Sequence, residues 1–215
     1  MPQNLDLGSL FQAVTRNLLE NQNVLNQADT YNHDHGDNMV QIFKMITEAM
    51  ETKQGADPAD QLAYASELLR QRSRSGSAKM YADGLSQASQ QFQGKNVTPD
   101  NVLTLIQTLL GTQQAQSPQQ PLPSGNVLDT LISSFTGGQQ DTGQNPININ
   151  DILTAGMAFL NNKQQGKDNL ESLVNALVTT TQAGQTPHRA QSATLVANTM
   201  LQMLGSLNNK SGSRS

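Results

Sequence analysis

A ten-residue window near the N-terminus holds most of the side chains that could bind a metal ion or a phosphate. Residues Asp29–Asn38 read DTYNHDHGDN and contain three carboxylates, two imidazoles and two amides. Oxygen donors at this density suit a hard cation such as Mg²⁺. Gly36 allows a close backbone turn, and a helix that starts at Asn38 offers free N–H groups that favour phosphate. The window therefore predicts a site for Mg²⁺ and a phosphate-bearing ligand.

Two other interpretations of this window stay open. It can be a solvated turn between two helices, in which Asp37 or Asn38 caps the second helix. His33 and His35 also suggest zinc, but the third histidine, His188, is far down the chain. An oxygen-rich Mg²⁺ site is therefore the stronger of the two metal hypotheses.

The composition excludes several classes of function. The 215 residues carry a net charge of −4, so the basic footprint of a nucleic-acid-binding protein is missing. The chain has no cysteine, which excludes disulfides and thiolate metal sites. No apolar stretch approaches the roughly 20 residues that span a bilayer, and no signal peptide is visible. We therefore expect a cytoplasmic protein without nucleic-acid or membrane partners.

Apolar residues recur at helical spacing along nearly the whole chain. One face of a first helix is formed by Leu7, Leu10, Phe11, Val14, Leu18 and Leu25. Met39–Met50 carries the stripe of a second helix, and Gly111 ends a later one. A capping residue followed by proline opens helices at Asp57–Pro58, Thr98–Pro99 and Thr186–Pro187.

Further helices are predicted over 127–137, 152–160 and 170–184, after an exposed Gln/Pro-rich loop at 112–125. Together the segments predict one all-α domain over residues 1–207, followed by a disordered tail over 208–215. Its architecture is expected to be an antiparallel barrel or bundle of about eight or nine amphipathic helices with short links.

Three stretches, in order along the chain, resemble one known family. Asp34–Met39 resembles the Asp-Gly-Asp-His-Gly-x-Asn-Met signature of the ATP-binding domain of dihydroxyacetone kinases. Ser75–Ala82 looks like the Gly-Ala-Ser-Gly-Pro-Leu-Tyr-Gly stretch of that family. Ser192–Leu204 looks like its closing helix, which begins with Asp-Pro-Gly-Ala-Thr. The three matches span nearly the whole chain.

The resemblance implies a helical barrel that binds ADP or ATP with two Mg²⁺ ions, held by loops at one end. It implies metal ligation by Asp29, Asn32 and Asp34. The nucleotide-binding positions that it implies are His35, Gly36, Asn38, Met39, Gly76, Ser77, Ala78 and Thr194. No residue is assigned as catalytic, because phosphoryl transfer needs little beyond positioning and charge neutralisation.

Each of the three motifs departs from the family pattern. Asn32 stands where the family has its first acid, and His33 replaces the glycine that follows. Ala78 replaces a glycine of the second motif, and Ala190–Ser192 replaces Asp-Pro-Gly in the third. The adjacent pair His188–Arg189 could approach a phosphate or simply cap a loop. Because lost carboxylates leave cation charge uncompensated, the Mg²⁺ site is expected to be weak.

These departures favour a divergent domain kept as a binding or regulatory module, with phosphotransferase activity weak or lost. The alternative is an active Mg-ADP/ATP subunit that transfers phosphate together with a separate dihydroxyacetone-binding kinase subunit or another small-molecule-binding protein. A third possibility is a helical scaffold that only looks like the family. Nothing in the chain corresponds to a dihydroxyacetone-binding domain, so the chain alone is not expected to phosphorylate dihydroxyacetone.

Overall fold

A computed structural model describes residues 4–99, 101–111, 174–175 and 177–211 of the protein. All regular secondary structure in these ranges is helical, which confirms the all-α prediction. The α-helices are α1 (Leu7–Glu20), α2 (Gln22–Ala28), α3 (His35–Thr52), α4 (Pro58–Arg72), α5 (Gly76–Gln91), α6 (Val102–Leu109) and α7 (Pro187–Ser211). None of these helices is both long enough and apolar enough to cross a bilayer. The predicted helices within 112–173 lie outside the described residues.

The first apolar face belongs to two helices, because the helix is interrupted at Asn21, between α1 and α2. Asp6 begins α1 by accepting a hydrogen bond from the Ser9 N–H at 2.8 Å. The Asn21 side-chain amide donates to the carbonyl of Asn17 at 2.8 Å. Such a side chain competes with the helical hydrogen bonds of the backbone and favours a helix end. The prediction of one continuous first helix was therefore wrong, although Leu25 is buried as expected.

Helix α3 packs against α1, α2, α4 and α5. The ring of Phe43 contacts Phe11 of α1 at a centroid distance of 6.2 Å. It also meets Tyr81 of α5 edge-on at 5.0 Å. Burial of each such side chain stabilises the fold by about 1.5–3 kcal/mol. The predicted stripe is confirmed by the buried residues Met39, Ile42, Phe43, Ile46 and Met50.

The start of α3 differs from the expectation. The helix begins at His35, with Asp34 as its N-cap residue, and not at Asn38. Gly36 therefore lies in the first turn, where an added Cβ would overlap the backbone carbonyl of Gln22 in α2. Because Gly36 has no side chain, the first turn of α3 can lie directly against α2.

Helices α4, α5 and α6 form a second packed group. The Ser66 hydroxyl of α4 donates to the Ala82 carbonyl of α5 at 2.7 Å. At Gly84 of α5, an added Cβ would lie 2.8 Å from the Leu109 Cα of α6. This glycine therefore allows the close approach of α5 and α6.

The predicted start of α4 is confirmed in position, whereas the predicted start of α6 needs correction. Pro58 occupies the first turn of α4 as expected, but Asp57 makes no capping hydrogen bond through its side chain. Helix α6 begins at Val102 and not at Thr98–Pro99. The reason is a local turn in which the Asn101 side chain accepts a hydrogen bond from the Thr98 N–H at 2.8 Å.

Helix α7 packs against α1, α2 and α3. The Asn17 amide of α1 donates to the Thr199 hydroxyl of α7 at 2.8 Å. Gly111 ends the α6 segment with a positive φ of 75°, as the sequence predicted. The helix starts at Pro187, also as predicted, and continues past residue 207 to Ser211. The packing of α7 places its first turn beside the starts of α3 and α5.

Candidate functional site

The candidate site lies where the loop between α2 and α3 meets the first turn of α7. Asp29 of this loop is buried, and its carboxylate accepts a hydrogen bond from the Tyr31 N–H at 3.1 Å. This backbone bond lowers the pKa of Asp29 despite burial, and the charges of His188 and His35 act in the same direction. The carboxylate is therefore ionised, bonded to its own loop and within electrostatic reach of both imidazoles.

The other residues expected to bind Mg²⁺ have their own environments, although the Asn32 backbone N–H also bonds the Asp29 carboxylate. Asn32 is exposed, and Asp34 accepts a hydrogen bond from the Asn38 side chain at 2.7 Å. Asp37 is held by the Gln22 and Asn26 amides of α2, which lower its pKa.

His33 is exposed, and its imidazole contacts the backbone of α2. It has a φ of 57°, and its Nδ1 lies 3.3 Å from the carbonyl of Asn26. Over the described residues, no three His, Cys, Asp or Glu side chains are grouped so that they could hold a metal ion. No zinc set is therefore assembled in this part of the chain, whereas the Mg²⁺ set of Asp29, Asn32 and Asp34, which includes an amide, stays a prediction.

His35 links α3 to α7. Its Nε2 lies 3.0 Å from the hydroxyl of Ser192, and its ring meets that of His188 edge-on at 4.8 Å. Burial, together with the charges of His188 and Arg189, lowers its pKa to about 4, while the charge of Asp29 and a backbone hydrogen bond with His188 oppose this shift. The imidazole is therefore neutral at pH 7. The Ser192 hydroxyl also lies 2.9 Å from the Arg189 carbonyl, to which it can donate, so the direction of its bond with His35 follows the tautomer of the ring.

The second motif forms the N-terminus of α5. Ser75 is the N-cap residue and accepts a hydrogen bond from the Ala78 N–H at 3.1 Å. Ser77 and Ala78 are buried. Gly76 faces α7, since an added Cβ would lie 2.7 Å from Nη2 of Arg189. Three segments that are distant in sequence thus meet at one place.

Two of the remaining predicted site residues serve the fold. Met39 is fully buried in the core. Thr194 donates to the Ala190 carbonyl of its own helix at 2.9 Å.

The unpaired state of two polar groups was not predicted from the sequence. Among the described residues, the hydroxyl of Tyr81 and Nε of Arg189 are buried without a hydrogen-bond partner. Tyr81 lies in the Ser75–Ala82 stretch, and its helical spacing gives no sign of an unpaired hydroxyl. Arg189 was recognised as a residue that could approach phosphate. Its position over Gly76 depends on how α5 and α7 pack.

The sequence and the structure match no protein-family model, no curated protein and no solved structure.

Proposed function

We propose that the chain is a divergent relative of the ATP-binding domain of dihydroxyacetone kinases that binds a phosphate-bearing small molecule, a nucleotide in particular. Phosphotransferase activity is weak or lost in this proposal. The helices would form the antiparallel barrel of that family, with the ligand at the end where α3, α5 and α7 begin. In this arrangement the domain acts as a binding or regulatory module.

The observation that carries the proposal is the meeting of the three motif segments. His35 contacts Ser192 at 3.0 Å, and Arg189 lies against Gly76. His35, Gly76 and Ser192 belong to the three stretches that resemble motifs of the family, and Arg189 lies three residues before Ser192. A shared ligand site is a reason for segments so distant in sequence to face one another.

The carboxylates argue against phosphoryl transfer through two Mg²⁺ ions. Asp29 is bonded to its own loop, Asp34 to Asn38, and Asn32 is exposed and uncharged. A two-metal site needs several carboxylates converging on the ions to balance their charge. The described residues do not fit this requirement, so we derive no reaction step through a metal.

The experiment is a calorimetric titration of ADP into the full chain, with and without Mg²⁺. We expect binding that survives Asp34→Ala, since this carboxylate only bonds to Asn38. Asp60→Ala is the matched control, because Asp60 also lies in the first turn of a helix and is exposed. ATP turnover measured in parallel should not exceed the rate of a blank.

Two results would count against the proposal. Binding that requires Mg²⁺ and disappears in Asp34→Ala would instead support an active subunit that needs a separate dihydroxyacetone-binding partner. Absence of ADP and ATP binding at millimolar concentration would remove the nucleotide from the proposal.

A further inference from the structure

The start of α5 and the Arg189 side chain of α7 form a cluster of hydrogen-bond donors. We infer that this Arg189 site, made of Gly76, Ser77, Tyr81 and Arg189, binds a phosphate group directly, without a metal ion. The inference rests on the proposed function and deepens it, because it names the chemical group that is recognised and the residues that recognise it.

Charge is the first argument. The N-terminus of a helix carries a partial positive charge of about half a unit, and α5 is a helix of 16 residues. The Arg189 guanidinium lies directly over this end, at Gly76. Two positive groups in contact repel each other unless an anion lies between them. The ion pairs of the described residues, Arg70–Asp83 and Arg72–Glu48, provide no such anion.

The unpaired Tyr81 hydroxyl is the second, independent argument. Tyr81 is 1% exposed and its hydroxyl has no hydrogen-bond partner. Burial raises the pKa of the phenol and the charge of Arg189 opposes this rise, so Tyr81 lies within electrostatic reach of the guanidinium. Buried polar groups are nearly always bonded in folded proteins. A ligand oxygen between Tyr81 and Arg189 would satisfy both groups.

The types of donor identify the ligand group. Ser75 already bonds the Ala78 N–H, so the free amides of the first turn are those of Gly76 and Ser77. With the guanidinium and the hydroxyls of Ser77 and Tyr81, they give a site in which donors outnumber acceptors and no member is anionic. A phosphate has enough acceptor oxygens for all of them, and arginine binds phosphate through two parallel hydrogen bonds. A cation would find no carboxylate among these four residues and would be repelled by the charge of Arg189.

The test is a titration of inorganic phosphate into the full chain in the presence of EDTA. We expect saturable binding that Arg189→Gln weakens by roughly tenfold to a hundredfold, because a bond to a charged group is lost. Arg16→Gln is the matched control, since it removes the same charge from an exposed position on α1. Binding that is absent in EDTA, or equal in wild type and Arg189→Gln, would overturn the inference.

Tyr81→Phe gives a second readout that does not depend on net charge. We expect it to weaken phosphate binding while the variant remains folded, and unchanged affinity would remove Tyr81 from the site. The ADP titration separates this inference from the proposed function. ADP binding that is indifferent to Arg189→Gln would leave the nucleotide proposal standing and refute the Arg189 site. Phosphate binding without ADP binding would support the Arg189 site and count against nucleotide binding.

Discussion

Two neighbouring regions of this protein have opposite hydrogen-bonding states. The acidic loop, defined as the α2–α3 loop together with the first turn of α3 (residues 29–37), is rich in acceptors, and its carboxylates are already bonded by neighbouring amides. The Arg189 site is rich in donors, and two of its buried donors have no partner. The sequence draws attention to the first region because its polar residues are adjacent. The capacity to bind a ligand depends instead on which groups remain unpaired after folding.

The largest effect is expected from a change that breaks the support of the acidic loop. In Gly36→Ala the new Cβ would overlap the Gln22 carbonyl of α2 and lie 2.7 Å from the Asn26 side chain. Because a backbone must move, we expect a loss of about 3 kcal/mol in the free energy of unfolding. Urea denaturation measures it.

Gly8→Ala is the matched control for this substitution. Its Cβ would meet only the Asp6 side chain, at 3.5 Å, so the change should be neutral or slightly stabilising. Equal stability of Gly36→Ala and wild type would show that α2 and α3 do not approach so closely.

The next effect concerns His35, which joins the two regions. Its pKa of about 4 lies below the usual 6.5, so between these pH values only the unfolded chain takes up the proton. The free energy of unfolding should therefore fall as the pH drops from about 6.5 to 4, by about 1–2 kcal/mol after allowance for screening by water. Denaturation at pH 7 and pH 5 covers most of this window.

Two variants isolate the contribution of His35. His35→Gln should flatten the pH dependence, whereas His33→Gln, at an exposed position, should keep it. The lowered pKa values of Asp29 and Asp37 affect stability only below about pH 4, outside the measured interval. A wild type equally stable at pH 7 and pH 5 would refute the burial of a neutral His35.

A smaller effect tests whether the Arg189 site holds unpaired donors. Tyr81→Phe removes a buried hydroxyl that has no partner, so without phosphate it should stabilise the protein by about 1 kcal/mol. Thermal unfolding measures the change, and Tyr64→Phe, at a partly buried position in α4, is the control. Destabilisation by Tyr81→Phe would mean that the hydroxyl is bonded.

Local sequence signals predicted the parts of the fold that depend on neighbouring residues. The α3 stripe, Pro58 at the start of α4 and Gly111 after α6 follow from helical spacing and helix-end preferences. The break at Asn21 was missed because the apolar spacing continues through it. The start of α3 at His35 was missed because it depends on contact with α2.

The candidate site was predictable only in part, for the same reason. His35 and Gly76 were identified by resemblance, and both lie at the meeting point of three helices. The burial of Asp29 beside two imidazoles and the position of Arg189 over Gly76 arise from packing between distant segments. Periodicity and motif spacing carry no information on such contacts. In this protein these contacts leave hydrogen-bond donors, and not carboxylates, without partners among the described residues.

The smallest effect on stability is expected from Mg²⁺. Comparing Mg²⁺ with phosphate distinguishes the acidic loop from the Arg189 site most directly. Millimolar Mg²⁺ should leave the melting temperature unchanged, since the described carboxylates form no metal-binding group. Phosphate in EDTA should raise it, because a ligand that binds only the folded state stabilises that state. If Mg²⁺ alone raised the melting temperature and Asp34→Ala abolished this rise, the acidic loop would be the binding site. Such a result would mean that its carboxylates give up their present hydrogen bonds to bind the ion.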